Sequence, residues 1–104
     1  MNDAIKAAFI FITPDANPEQ HQGWVKTPGV EVKTLAVNSY QQACESLENL
    51  ISEGVAAVEL CGGFGHQGVA QLTHAAAGRV HIGVVRFDQH PLLNFVSGDS
   101  IVAQ

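Results

Sequence analysis

The chain has 104 residues, of which 46% are hydrophobic and 14% charged, with a net charge of −5. That length is one domain with enough apolar material for a core. Its five permanent cations, Lys6, Lys26, Lys33, Arg79 and Arg86, are scattered and make no basic patch for nucleic acid, and no apolar run nears the ~18 residues of a membrane span.

A charged fraction this far below the usual ~25% fits either a surface partly covered by another copy or a compact domain with an uncharged polar surface of Gln, Asn, Ser and Thr; of the two, a homo-oligomer is expected. The opening segment Met1–Lys6 has no cleavage-type signal region. A cytoplasmic chain is therefore expected, with Cys44 and Cys61 as free thiols.

Ala7–Thr13 is a continuous apolar run, which predicts a strand buried on both faces. Thr13-Pro14-Asp15 ends it. Asn17 as cap, Pro18 at the first helical position and Gln20 as capping-box partner predict a short helix from Pro18 to Val25 or Lys26. Thr27-Pro28-Gly29 stops it. Val30–Val37 reads as an edge strand. Ser39 with Gln42 is a second capping box. The helix it opens, Tyr40–Glu53, sets Ala43, Leu47, Leu50 and Ile51 on one face, and Gly54 is its stop residue. A strand at Val55–Leu60, a glycine turn, a helix at Val69–Ala77, Gly78 and a strand at Val80–Phe87 follow.

The order is β-α-β-α-β-α-β, with connections too long for hairpins. It predicts one α/β domain over residues 1–104: a four-stranded, mostly parallel sheet, strand order 2-1-3-4, with helices on both faces. That is a flavodoxin-like arrangement, or half of a Rossmann fold. Residues 89–104 form a tail. In it Leu92, Leu93, Phe95 and Val96 suggest a helical turn, and Ile101–Ala103 could pair with a sheet edge on this chain or on a partner.

Open parallel sheets bind ligands beyond the carboxyl ends of their strands. This chain places Thr13, Asp15, Glu59, Cys61, Gly62, Gly63, Gly65, His66, Arg86, Asp88 and His90 there. Gly63, Gly65 and Gly68 spell G-x-G-x-x-G between a strand and a helix. Three readings compete: close helix packing alone, a phosphate or carboxylate site on bare amides, and a dinucleotide site. Asp88, 20 positions after Gly68, is placed to meet a ribose. The motif's position on the third strand argues against the dinucleotide.

Cys61 is a candidate nucleophile, with the Gly62 and Gly63 amides as oxyanion hole and His66 or His90 as base, oriented by Asp88 or Glu59. The plainer reading is a small apolar residue that finishes a strand. Glu59, inside an apolar strand, is either a general base or a strand-end residue that faces solvent or pairs with Arg86 or Lys33. Arg86 closes an apolar strand and is suited to an anionic ligand, or to pairing with Glu59 or Asp88. Cys44 and the remaining histidines, His74 and His81, read as structural or surface residues. His66, His90 and His21 could meet Cys61 and Asp88 on a metal, but no pair has zinc-ligand spacing. No metal and no cofactor is expected.

The segments Glu59-Leu60-Cys61-Gly62-Gly63-Phe64-Gly65 and Gly83-Val84-Val85-Arg86-Phe87-Asp88 resemble a family of small microbial proteins catalogued as a domain of unknown function. The resemblance extends to Phe9–Ile12 and Thr27–Glu31, so it covers nearly the whole chain. It implies that these segments belong together and brings no reaction with it. The residues themselves predict a small-molecule-binding protein that holds a phosphate or carboxylate at the glycine turn, with help from Thr13, Asp15, Gly62, Gly63, Gly65, Arg86, Asp88 and His90. The alternatives are a Cys61-dependent hydrolase or lyase that uses His66 and Glu59, and an oligomeric interaction module without a ligand.

Overall fold

The computed structural model describes residues 4–87 and 89–103. Five strands form one sheet: β1 (Ile5–Ile12), β2 (Gln22–Lys26), β3 (Val30–Val37), β4 (Ala57–Leu60) and β5 (His81–Val84). Their order is β2-β3-β1-β4-β5. β1 pairs in parallel with β3 and β4, β4 pairs in parallel with β5, and β2 is antiparallel to β3. Two helices, α1 (Tyr40–Ser52) and α2 (His66–Ala76), link β3 to β4 and β4 to β5. The α/β class holds. The sheet is mixed and has five strands, not four: an extra, antiparallel strand lies outside β3, beside the four strands that run parallel to one another, so the predicted order is not matched exactly.

That strand stands where the sequence predicts a helix over 18–26. The Asn17 cap does form: its Oδ1 accepts the Glu19 N–H at 3.0 Å, and its carbonyl accepts the N–H groups of Gln20 and His21 at 3.1 and 2.8 Å. The turn goes no further. Gly23, Trp24 and Val25 are poor helix formers that suit a strand. Thr27 then closes a reversal, with its N–H and hydroxyl both donating to the Val30 carbonyl at 2.9 and 2.8 Å. Gln22–Lys26 pairs back onto Glu31–Leu35, so β3 is an inner strand and β2 is the edge.

Among the described residues, the same substitution of strand for helix leaves one sheet face bare. The crossovers through α1 and α2 run in the same direction across the sheet, and their common right hand places both helices on one side. Their buried residues, among them Tyr40, Leu47, Leu50 and Leu72, join Ala8, Ile10, Leu35, Val37, Val58 and Leu60 in one core cluster. The β1-to-β3 connection runs the other way, and a helix there would have covered the second face. With a strand instead, the expected helices on both faces are not found. β1 is buried on one side only: Ala8 and Ile10 are sealed, whereas Phe11 is exposed and Phe9 half-exposed.

Lys33 is buried on the helix side and pairs with Glu53 at 2.9 Å, not with Glu59. Its ammonium also lies 5.8 Å from the centre of the Trp24 ring, a cation–π contact. The Ser39 hydroxyl caps α1 by accepting the Gln42 N–H at 3.0 Å. The Gln42 side chain reaches back one residue further than a capping box requires, to the Asn38 N–H at 2.7 Å. Gly54 follows α1 at φ +93°, the left-handed stop expected of it.

The tail makes two 3-10 turns, Pro91–Leu93 and Gly98–Ser100. Ile101–Ala103 extends no sheet. It returns to the helices instead, and the Ala103 carbonyl accepts the Tyr40 N–H at 3.2 Å.

Candidate functional site

At the carboxyl end of β4 the chain turns sharply into α2. The Cys61 N–H still belongs to the sheet, donating to the Ile10 carbonyl at 2.9 Å, and the Cys61 carbonyl accepts the Phe64 N–H at 3.1 Å. The turn is tight because its glycines let other groups in. A Cβ on Gly63 would lie 2.8 Å from Ile12 Cγ2. One on Gly62 would strike the Phe87 ring, and one on Gly68 would lie 2.5 Å from the Tyr40 ring.

The helix end behind this turn carries an anion supplied by the chain itself. The Asp99 carboxylate accepts the Gln67 N–H at 2.9 Å and the Gly68 N–H at 3.3 Å. It also accepts the Tyr40 hydroxyl at 2.8 Å, and that hydroxyl in turn accepts the Gly65 N–H at 3.1 Å. Four hydrogen bonds among groups from three distant parts of the chain thus close the first turn of α2. A Cβ on Gly65 would run into the Asp99 carboxylate, and one on Gly98 would run into the Gly63 carbonyl, so both glycines are needed for the tail to dock.

The electrostatics follow from this packing. Burial pushes the Tyr40 phenol up to about 12; the Gly65 N–H pulls against it, and the hydrogen bond to Asp99 and then the Asp99 charge add to the rise. It remains a donor throughout the physiological range. Burial works to raise the Asp99 carboxyl. The donors Gln67 N–H, Tyr40 O–H and Gly68 N–H outweigh it, with His66 nearby, and hold the group below its ordinary value.

Beside this arrangement lies a cleft of about 310 Å3. Its polar wall is Gly62, Gly65 and His66 on one side and Arg86 and Ser97 on the other; Phe64, Val69, Val84, Val85 and Phe87 give it an apolar body. Among the described residues, the amides of Gly62 and His66 meet no acceptor. The cleft opens at the carboxyl ends of β4 and β5, where a parallel sheet of this order presents its loops.

The structure brings only some of the sequence candidates to this cleft. Gly62, Gly65, His66 and Arg86 line it. Gly63 lies beneath the turn, buried. Cys61 is half-buried, and its sulfur accepts the Gly63 N–H at 3.3 Å; no hydrogen bond joins it to a histidine or carboxylate among the described residues. Glu59 faces the bare side of the sheet, in register with Phe9 and Gly83, away from the cleft.

Thr13 and Asp15 stand beyond the end of β1 and bond to each other, hydroxyl to carboxylate, at 2.9 Å. His90 packs on Phe87 with ring centres 4.5 Å apart, and its Nδ1 accepts the Leu92 N–H at 3.1 Å, so it serves to start the first tail turn. Asp88 lies outside the described residues. No three metal-ligating side chains converge among the described residues.

Tyr40 and Asp99, the two side chains that organise the turn, were not singled out in the sequence. Tyr40 reads as one apolar helix residue among several. Asp99 sits in Ser97-Gly98-Asp99-Ser100, a segment with turn composition and no marker of its distant partner. Cys44 is a structural thiol: burial and then the Glu45 charge push it up, and its S–H points to the Gln71 carbonyl at 3.8 Å.

No helix among the described residues is long and apolar enough to cross a membrane. No curated protein and no solved structure matches the chain. A family model does match, over residues 5–100, and the chain therefore belongs to the Family of unknown function (DUF6506).

Proposed function

We propose that this chain is a small-molecule-binding α/β protein that holds an anionic group, a carboxylate or a phosphate, in the cleft beside the glycine turn. One observation carries the reading. Two amides without acceptors among the described residues, those of Gly62 and His66, share a cleft of about 310 Å3 with the Arg86 guanidinium and a wall of apolar side chains. Polar donors and apolar side chains lining one cavity suit a ligand with a charged head and an apolar body. Asp99 already brings negative charge to the α2 end, so a singly charged carboxylate is favoured over a phosphate dianion. We read the protein as cytoplasmic and as acting as a homo-oligomer; two free thiols and the low charge content support this.

Titration with inorganic phosphate and a series of short to medium aliphatic carboxylates, followed by calorimetry and by amide shifts of Gly62 and His66, tests the reading. The expected result is carboxylate binding that strengthens with chain length and weakens by about tenfold or more in Arg86→Gln. The Asp15→Asn variant, outside the cleft, is expected to bind as the wild type does. Absence of any shift up to about 10 mM of every anion tested would sink it.

A Cys61-dependent reaction is the second reading, supported by the Gly63 N–H directed at the sulfur. It requires alkylation of Cys61 at neutral pH well faster than that of an ordinary free thiol.

A further inference from the structure

The bare sheet face is built like a surface meant to be covered. The register gives its rows across the five strands. One row is Val25, Val32, Ala7, Ala57 and His81; the next is Gly23, Thr34, Phe9, Glu59 and Gly83. Val25 is 70% exposed and Ile5 64%. Glu59 is the one carboxylate in those two rows and no lysine or arginine joins it, although the chain as a whole carries a net charge of −5. A contiguous apolar face of this kind on a soluble chain marks an association site.

Its dimensions suit a modest, concentration-dependent dimer. Strands of eight, five, eight, four and four residues, at ~3.3 Å per residue and ~4.8 Å spacing, give a footprint on the order of 450 Å2 in projection. That is below the ~800 Å2 each partner contributes to a standard-size interface, so the dimer is expected to dissociate on dilution. The small residues Ala7, Ala57, Gly23 and Gly83 around Phe9 leave room for a second sheet at the usual ~10 Å spacing.

The charge arrangement selects the occupant. β1 is the central strand of the order β2-β3-β1-β4-β5. A two-fold axis lying along β1, between two such faces, sets β3 of one copy over β4 of the other and β2 over β5. Phe9 then meets Phe9, and Glu59 meets the Thr34 hydroxyl, not a second carboxylate. The face is thereby complementary to itself, as an isologous contact requires. We propose that the uncovered sheet face is the interface of a homodimer, closed by a two-fold axis along β1.

Sedimentation equilibrium from about 1 to 100 µM tests this, over the range where such an interface separates dimer from monomer. At the upper end of that range the wild type is expected to sediment at twice its 11.0 kDa chain mass. Thr34→Glu puts a carboxylate opposite Glu59 of the other copy. It is expected to weaken the dimer by about tenfold or more, and Thr34→Glu combined with Glu59→Lys is expected to restore it. If Thr34→Glu does not fold by circular dichroism, Ile5→Asp reads the same interface: Ile5 is 64% exposed and lies on β1, where the axis sets each copy's residue against its own equivalent. Leu92→Glu, in the tail, is expected to leave the dimer intact. A wild type that stays monomeric throughout overturns the proposal. So does a dimer lost in Leu92→Glu but kept in Thr34→Glu and Ile5→Asp.

Discussion

The two helices of this protein begin in different ways. α1 is capped by its own neighbourhood: Ser39 lies three residues from the N–H it receives, that of Gln42. α2 begins with no side-chain cap at Gly65. Its first turn is closed by Asp99, 32 positions beyond Gln67, with the Tyr40 hydroxyl in support. A local cap is present as soon as the helix forms. A distant cap exists only when the tail has docked, so the start of α2, the glycine turn and the adjoining cleft depend on residues 97–103. One consequence concerns the cleft directly: Asp99 already sits at the positive end of α2, so the anion site proposed above relies on Arg86 and the Gly62 and His66 amides, not on the helix axis.

Three substitutions sharpen or break this contrast. The largest effect is expected from Gly98→Ala, whose methyl would collide with the Gly63 carbonyl. Backbone cannot yield as a flexible side chain can, so a loss of about 3 kcal/mol or outright release of the tail is expected. Urea unfolding and faster amide exchange at Gln67 and Gly68 would report it. If exchange at those amides is unchanged, the tail does not hold the helix end.

Asp99→Ala comes next, at about 2 kcal/mol, because it removes an N-terminal cap and leaves the buried Tyr40 hydroxyl without its acceptor. Its pH dependence has a defined sign. The Asp99 carboxyl lies below its ordinary value in the folded state. Its contribution is therefore complete above the unfolded carboxylate range near ~3.9 and is lost as pH falls through the lower native value. The stability gap between wild type and Asp99→Ala should narrow as the solution is taken below about pH 4. A gap that stays constant would mean that the carboxylate charge does not matter.

Ser39→Ala is expected to cost least, about 1 kcal/mol, and to leave α2 and the cleft undisturbed. Should it cost as much as Asp99→Ala, the local and the distant cap are equivalent and the contrast collapses.

What the sequence by itself determined are the features written in short windows. β3 matches its expected span, Val30–Val37. α1, with Ser39 as cap and Gly54 as stop, falls within one residue of the expected helix, because cap, apolar stripe and stop all lie within one segment. The strand-turn-helix order pointed only to the carboxyl ends of the strands in general; that the cleft lies beyond β4 and β5, away from Thr13 and Asp15 at the end of β1, is read from the structure alone.

Only the tertiary structure decided the rest. Pro18 to Lys26 carries a helix cap at one end and strand formers at the other. Pairing with β3 settled the conflict for the strand, because those backbone bonds exist only once β3 is in place. That outcome bared the second sheet face, which no local pattern could announce. The docking of Asp99 on α2 is likewise invisible in the chain: it depends on two glycines, Gly65 and Gly98, lying against each other's neighbours in space, and the absence of a side chain is a signal that only its surroundings make readable.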